Sequence, residues 1–138
     1  MKKIIVFGSF DPLHEGHRNF FKQAKQLGDY LVVVVARDEN IERIKNREAR
    51  IKEDKRLQAV RNEKLVDQAV LGDIGENYTI IDKIKPDIIA IGYDQKVPEG
   101  LKNHLKKYRI ITLKPFKPEV YKSSKLAPSS SLPVRSPK

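Results

Sequence analysis

The chain has 138 residues, 39% of them hydrophobic, and a formal net charge of +10. That length suits one domain around one core, and that hydrophobic content excludes a wholly disordered chain. With no cysteine there are no disulfides, thiolate zinc sites or cysteine nucleophile, and the longest apolar run, residues 31–36, is far too short to cross a bilayer.

The elements follow in chain order. Residues 3–7 are a short β-branched apolar run, which predicts a buried strand. Positive charge before an apolar run also opens a signal peptide, but Gly8, Ser9 and Asp11 interrupt this run too early. A cytoplasmic protein with no membrane partner is therefore expected. Residues 15–27 carry Phe20, Phe21, Ala24 and Leu27 at helical spacing, with Gly28 as a stop. Residues 30–36 form the strongest strand, with no polar alternation, as befits a strand covered on both faces. Residues 38–52 are highly charged and read as a partly helical loop. A helix over 53–62, a strand over 68–71 and a helix over 77–84 ended by Pro86 come next. A strand over 87–91, a helix over 98–107 and a strand over 109–113 complete the pattern.

Alternating strands and helices predict an α/β fold, a Rossmann-like open parallel five-stranded sheet with helices on both faces. Ligands of such sheets bind beyond the carboxyl ends of the strands. The segments 8–17, 37–45 and 92–95 all follow strands and are expected on one rim. The domain is expected to span 1–126. Residues 127–138, rich in Ser and Pro without periodicity, read as a flexible tail.

The charge excess suits polyanionic partners such as nucleotides. Between 102 and 125 it comprises Lys102, Lys106, Lys107, Arg109, Lys114, Lys117, Lys122 and Lys125 against Glu119 alone. No aromatic-interleaved stacking pattern accompanies these residues, so most read as a solvated basic face and nucleic acid is not an expected partner.

The first strand-to-helix connection carries the chemistry. Gly8 allows a tight turn or a close approach of backbone to ligand. The helix starting near Glu15 directs unpaired N–H groups and its positive dipole end at the rim. His14 and His17, three apart, share a face there, with Gly16 leaving room between them. Two imidazoles at a helix start suit the negative charge that gathers on an α-phosphate during nucleotidyl transfer, and a histidine can protonate a departing pyrophosphate. The same pattern also admits a metal pair, with Asp11 as a further ligand, or an ordinary turn with two capping histidines.

Gly8-Ser9-Phe10-Asp11-Pro12-Leu13-His14-Glu15-Gly16-His17 resembles the G-[ST]-F-D-x-x-H-x-G-H signature of the cytidylyltransferase-like nucleotidyltransferases. The resemblance extends over residues 1–126. Val35-Ala36-Arg37-Asp38-Glu39, Leu71-Gly72 and Ile91-Gly92-Tyr93-Asp94-Gln95 look most like the stand-alone FAD synthetases, which are FMN adenylyltransferases, and next most like the glycerol-3-phosphate cytidylyltransferases. The resemblance implies that His14 and His17 stabilise charge at the α-phosphate. It implies that Gly8, Ser9 and Phe10 face the nucleotide, with Asp11 near nucleotide and metal. Lys45 and Arg56 would hold the β- and γ-phosphates, Lys45 having Arg43 and Arg47 close by. Gly92, Asp94 and Gln95 would contact base and ribose, and Ser123 and Ser124 would open a final helix over the triphosphate.

One stretch departs from the cytidylyltransferase pattern R-T-x-G-[IV]-S-[ST]. Here Lys117 to Ser124 replaces the arginine with lysine and loses the glycine, and Pro128 shortens the last helix. A point-charge lysine lacks the bidentate grip of arginine, which weighs against cytidylyl transfer. The function implied is transfer of AMP from ATP, with Mg²⁺ or another divalent cation, to FMN. Cytidylyl transfer from CTP to glycerol phosphate is the alternative, and a non-catalytic nucleotide- or RNA-binding module the third reading. Small members of the superfamily are often homodimers, so a homodimer is expected.

Overall fold

The computed structural model describes residues 1–74, 78–93, 95, 102 and 106–114. The strands are β1 (Lys3–Gly8), β2 (Tyr30–Val35), β3 (Gln68–Leu71), β4 (Ile88–Ile91) and β5 (Arg109–Thr112). The helices are α1 (Glu15–Lys25), α2 (Asp38–Lys45), α3 (Glu53–Arg61) and α4 (Thr79–Ile84). All strand pairings are parallel, in the order β3-β2-β1-β4-β5. The expected five-stranded parallel α/β sheet is therefore present.

The sheet is buried on both faces at its centre because β2, β4 and the interior of β1 are continuous apolar runs. Ile4 and Val6 of β1 and Val33 and Val35 of β2 pack on one side with Phe21 and Ala24 of α1 and Val60 of α3. Ile5, Val32 and Val34 pack on the other with Ile81 of α4. A right-handed crossover puts its helix on one face when the chain moves one way across the sheet and on the other when it moves back. The chain moves outward from β1 through β2 to β3, then returns past β1 to β4. That reversal accounts for the placement of α4 opposite α1 and α3. It also puts the switch point between β1 and β4, where these strands pair only through Ile4–Ile88 and Ile5–Ile89 before parting.

Two expectations change in detail. The charged stretch after β2 folds into α2, with Asp38 and Glu39 in its first turn, Arg43 and Lys45 in its last, and Ile41 buried. Those charges complement the helix dipole, and Asn46 in the left-handed conformation ends the helix. Gly28 does more than stop α1. A Cβ there would lie 2.2 Å from Ile4 Cδ1 and 2.8 Å from the Lys2 carbonyl, so the close approach of β1 requires glycine. Most of the helix expected over 98–107, and all of the tail over 127–138, lie outside the described residues. No helix among the described residues is long and apolar enough to cross a membrane.

Candidate active site

A cleft of about 1120 Å³ opens along the carboxyl rim of the sheet. The connection after β1, the start of α1, α2, and the segments after β3, β4 and β5 all contribute to its walls. It brings together Gly8, Ser9, Phe10, His14, His17, Lys45, Gly92 and Gln95 of the expected site residues. Asp94, Ser123 and Ser124 lie outside the described residues.

The two histidines are held by backbone. His14 is the N-cap of α1, and its Nδ1 accepts the Gly16 N–H at 3.0 Å. His17 Nδ1 accepts the His14 N–H at 3.1 Å. An acceptor nitrogen carries no proton, so this geometry leaves Nε2 as the donor nitrogen of each ring. The rings lie 3.9 Å apart between centroids, tilted by 31°, and both face the cleft. His17 is held well below the ordinary imidazole range, at about 4. Burial is the largest cause, followed by the charges of His14 and Lys45. His17 is therefore a neutral donor near pH 7.

Phe10 supports this arrangement. It is buried, has a φ of 53°, and packs edge-on against His17 at 4.9 Å and against Phe21 at 5.4 Å. Its ring fills the space beside Gly8, where a Cβ would meet Phe10 Cζ at 2.6 Å. Gly8 thus makes room for the ring that backs His17, as well as bordering the cleft.

Lys45, at the end of α2, reaches across to Ser9, its Nζ donating to the hydroxyl at 3.3 Å. Arg43 and Lys114 add positive charge to the walls, while Asp73 is the one acid among the described wall residues. Lys114 was expected only as part of a basic face. It lies at the cleft because the Gln23 amide pairs with its backbone in both directions, at 2.9 and 2.8 Å, tying the end of β5 to α1. No sequence motif marks such a side-chain-to-backbone pairing.

Arg56 departs from the phosphate contact expected of it. It is 1% exposed, and its guanidinium bonds inside the protein. Nε donates to the Ile51 carbonyl, Nη1 to the carbonyls of Ser9 and Ala36, and Nη2 to Asp38 Oδ1, at 2.6–2.9 Å. Four of its five N–H donors are spent on these bonds, so Arg56 fastens the ends of β1 and β2 and positions the cleft.

Asp11 likewise departs from the metal contact expected of it. Its carboxylate accepts the N–H groups of Arg50 and Ile51 at 2.8 and 2.7 Å, with Arg47 at 3.5 Å. Burial alone would raise its pKa, but these bonds and the Arg56 charge outweigh burial and hold it below the ordinary value. Both oxygens are committed to the loop before α3. Gln95, expected at the base, spans the parted strands. Its Oε1 accepts the Gly92 N–H at 3.0 Å and its Nε2 donates to the Phe7 carbonyl at 2.9 Å. These are the backbone groups that the separation of β1 from β4 leaves without a ladder partner.

Among the described residues no group of three His, Asp or Glu is arranged to hold a metal ion. Asp73, on the cleft wall, already accepts from the Thr79 hydroxyl and the Ile80 N–H. The described carboxylates of the rim therefore do not form a metal cage.

Comparison with known proteins agrees with this geometry. The sequence profile of the cytidylyltransferase-like family matches residues 5–135. The FAD synthase of Ferroglobus placidus is 45% identical over 108 residues, which cover 78% of this chain and 70% of that protein. The FAD synthase of Thermococcus onnurineus is 44% identical over 110 residues, 78% of this chain and 73% of that protein. The crystal structure of the lipopolysaccharide core biosynthesis protein from Thermoplasma volcanium superposes with a TM-score of 0.76 at 38% identity, covering 85% of this chain and 99% of that one. A parallel sheet with its cleft at the switch point, paired imidazoles at the start of α1 and a match over most of the length agree on one conclusion: this chain belongs to the cytidylyltransferase-like family of nucleotidyltransferases.

Proposed function

We propose that this chain transfers AMP from ATP to FMN, forming FAD and releasing pyrophosphate. The observation that carries the reading is the close pair His14 and His17, each with Nδ1 taken by backbone and its ring on a positively lined cleft. The choice of acceptor is supported by the FAD synthases at 44–45% identity.

In this reaction an oxygen of the FMN phosphate attacks the α-phosphorus of ATP in line. The new P–O bond forms as the bond to the β-phosphate bridging oxygen breaks, and that oxygen leaves with pyrophosphate. Negative charge grows on the α-phosphate oxygens as the phosphorus becomes five-coordinate. Two Nε2–H donors fixed beforehand stabilise that charge without reorganising during the step. The Lys45 ammonium, set against Ser9, would neutralise the β- and γ-phosphates as a point charge. Arg56 and Asp11 act through the backbone they hold. Mg²⁺, when bound, would offset the charge of the triphosphate. The roles of Gly92 and Asp94 at base and ribose, and of Ser123 and Ser124 at the triphosphate, are proposed from the family resemblance, as are a homodimer, a cytoplasmic location and the division into a 1–126 domain and a tail.

Pyrophosphate release measured with ATP or CTP, each with FMN or glycerol phosphate, tests the proposal. The expected result is release with ATP and FMN together, with FAD as co-product. Faster release with CTP and glycerol phosphate would instead support cytidylyl transfer.

A further inference from the structure

The cleft has a second bay that the transfer chemistry does not use. Side chains alternate across β1, so Val6 joins the α1 and α3 face while Phe7 joins the α4 face. The histidines belong to the first side of the rim. On the other side Phe7, its register partner Val34, and Tyr78 and Ile80 at the start of α4 border the same cleft. Phe7 and Tyr78 meet edge to face, with centroids 5.9 Å apart and planes at 82°. Beyond this apolar floor the bay ends in polar groups. The Asp73 carbonyl accepts from Asn40 Nδ2 at 2.8 Å, while the Asp73 carboxylate holds the first turn of α4.

The cleft has room for more than one reactant. A site for one drug-sized molecule occupies roughly 300–1000 Å³, and this cleft reaches about 1120 Å³. One ligand has its reacting phosphate at the histidines. The other must reach the same phosphorus from elsewhere along the rim, and the bay beside Phe7 opens onto Gly8 and Ser9, next to His14. Adenine presents hydrogen-bonding edges around most of its perimeter. The isoalloxazine ring is longer, with a hydrocarbon dimethylbenzenoid end and a polar pyrimidine end. A hydrocarbon floor with aromatic edges, closed by an amide and a carboxylate, complements the second shape better than the first.

We propose that this bay holds the isoalloxazine ring of the acceptor, between Phe7, Val34, Tyr78 and Ile80, with its polar end toward Asn40 and Asp73. The FMN phosphate then reaches past the end of β1 to the histidines. This inference rests on the reading of FMN as acceptor. Tyr78 and Ile80 are specificity determinants for the flavin and take no part in the chemistry.

The test is steady-state pyrophosphate release by wild type, Tyr78→Ala, Tyr78→Phe and Ile80→Ala, varying FMN and ATP separately. It is paired with titration of FMN fluorescence on each protein without ATP. Tyr78→Ala and Ile80→Ala are expected to raise the KM for FMN about tenfold, equivalent to about 1.4 kcal/mol of lost binding. The KM for ATP should stay within about twofold, and Tyr78→Phe, which keeps the ring, should stay near wild type. Tyr78 sits at a φ of 53°, so Ile80→Ala carries the test if Tyr78→Ala fails to fold. A rise in the KM for ATP with that for FMN unchanged would place adenine in the bay and overturn the inference. So would two unchanged KM values. Wild type that forms no FAD from FMN overturns the acceptor reading itself, a result separate from any change in KM.

Discussion

His17 shows how one side chain is matched to its task. A general acid for the departing pyrophosphate needs a proton to give near pH 7. Held at about 4 by burial, by His14 and by Lys45, His17 in the free protein carries no such proton. It serves as a neutral, oriented Nε2–H donor. His17→Ala should therefore lower kcat by about 100- to 1000-fold, as removal of one preorganised donor does elsewhere. The thermal midpoint should fall little, because the N–H released by the missing ring belongs to exposed His14. Wild-type turnover in that variant sinks the assignment. Stability supplies an independent check. In the unfolded chain His17 binds a proton near pH 6.5, in the folded chain only near 4. Between those values unfolding takes up a proton, so stability declines as pH falls from about 6.5 to 4 and is unaffected by His17 above that window. Full enclosure would make this about 3 kcal/mol, and partial exposure reduces it to the order of 1–2 kcal/mol. Urea midpoints at pH 7 and pH 5 should show the slope in wild type and its loss in His17→Ala.

At the scale of elements, the cleft depends on Arg56 of α3 joining the ends of β1 and β2 to the loop before α3. Lysine keeps the charge but has one ammonium in place of a planar fork, so Arg56→Lys leaves buried carbonyls and Asp38 poorly paired. A loss of about 3 kcal/mol or more in urea unfolding is expected. A loss near zero would mean that the fastening is not needed. The contrast between Arg56 and the strands explains what was legible in the sequence. The central strands are continuous apolar runs, and the strand-to-helix steps are marked by glycine or charge, so the sheet can be read locally. Two of the partners of Arg56 are backbone carbonyls 20 and 47 residues away. Backbone carbonyls carry no sequence signature, and an arginine on a short helix looks the same whether it faces a phosphate or the interior. Helix α2 was obscured for another reason. Only two apolar residues, Ile41 and exposed Ile44, mark its face among six polar ones, too few to fix the bounds of the helix.

At the scale of the whole molecule, three aspartates distribute the folding free energy unevenly with pH. Asp11 ties the turn after β1 to residues 50 and 51. Asp38 meets Arg56, and Asp67 joins Lys25 to the Leu31 N–H. Burial opposes ionisation at each, yet these partners outweigh it and hold all three below the ordinary carboxylate value. A carboxyl with a lowered folded pKa contributes stability above the unfolded value and loses it as pH falls through the folded one. The acid limb therefore has two stages: the His17 decline between about 6.5 and 4, then a steeper carboxylate decline below about 4. Net charge of +10 adds self-repulsion as the acids are neutralised. Asp11→Asn isolates the second stage. Its amide keeps one oxygen, so either the Arg50 or the Ile51 N–H faces an NH₂ group in place of an acceptor. At pH 7 the variant should be less stable by about 2–3 kcal/mol. Wild type loses its ionised acceptor as acid is added, and the variant has none to lose, so the gap should narrow toward pH 2.5. Urea unfolding of both proteins at the two pH values measures it. A gap that stays constant would show that the Asp11 charge contributes nothing, leaving only the shape of its side chain to hold the loop.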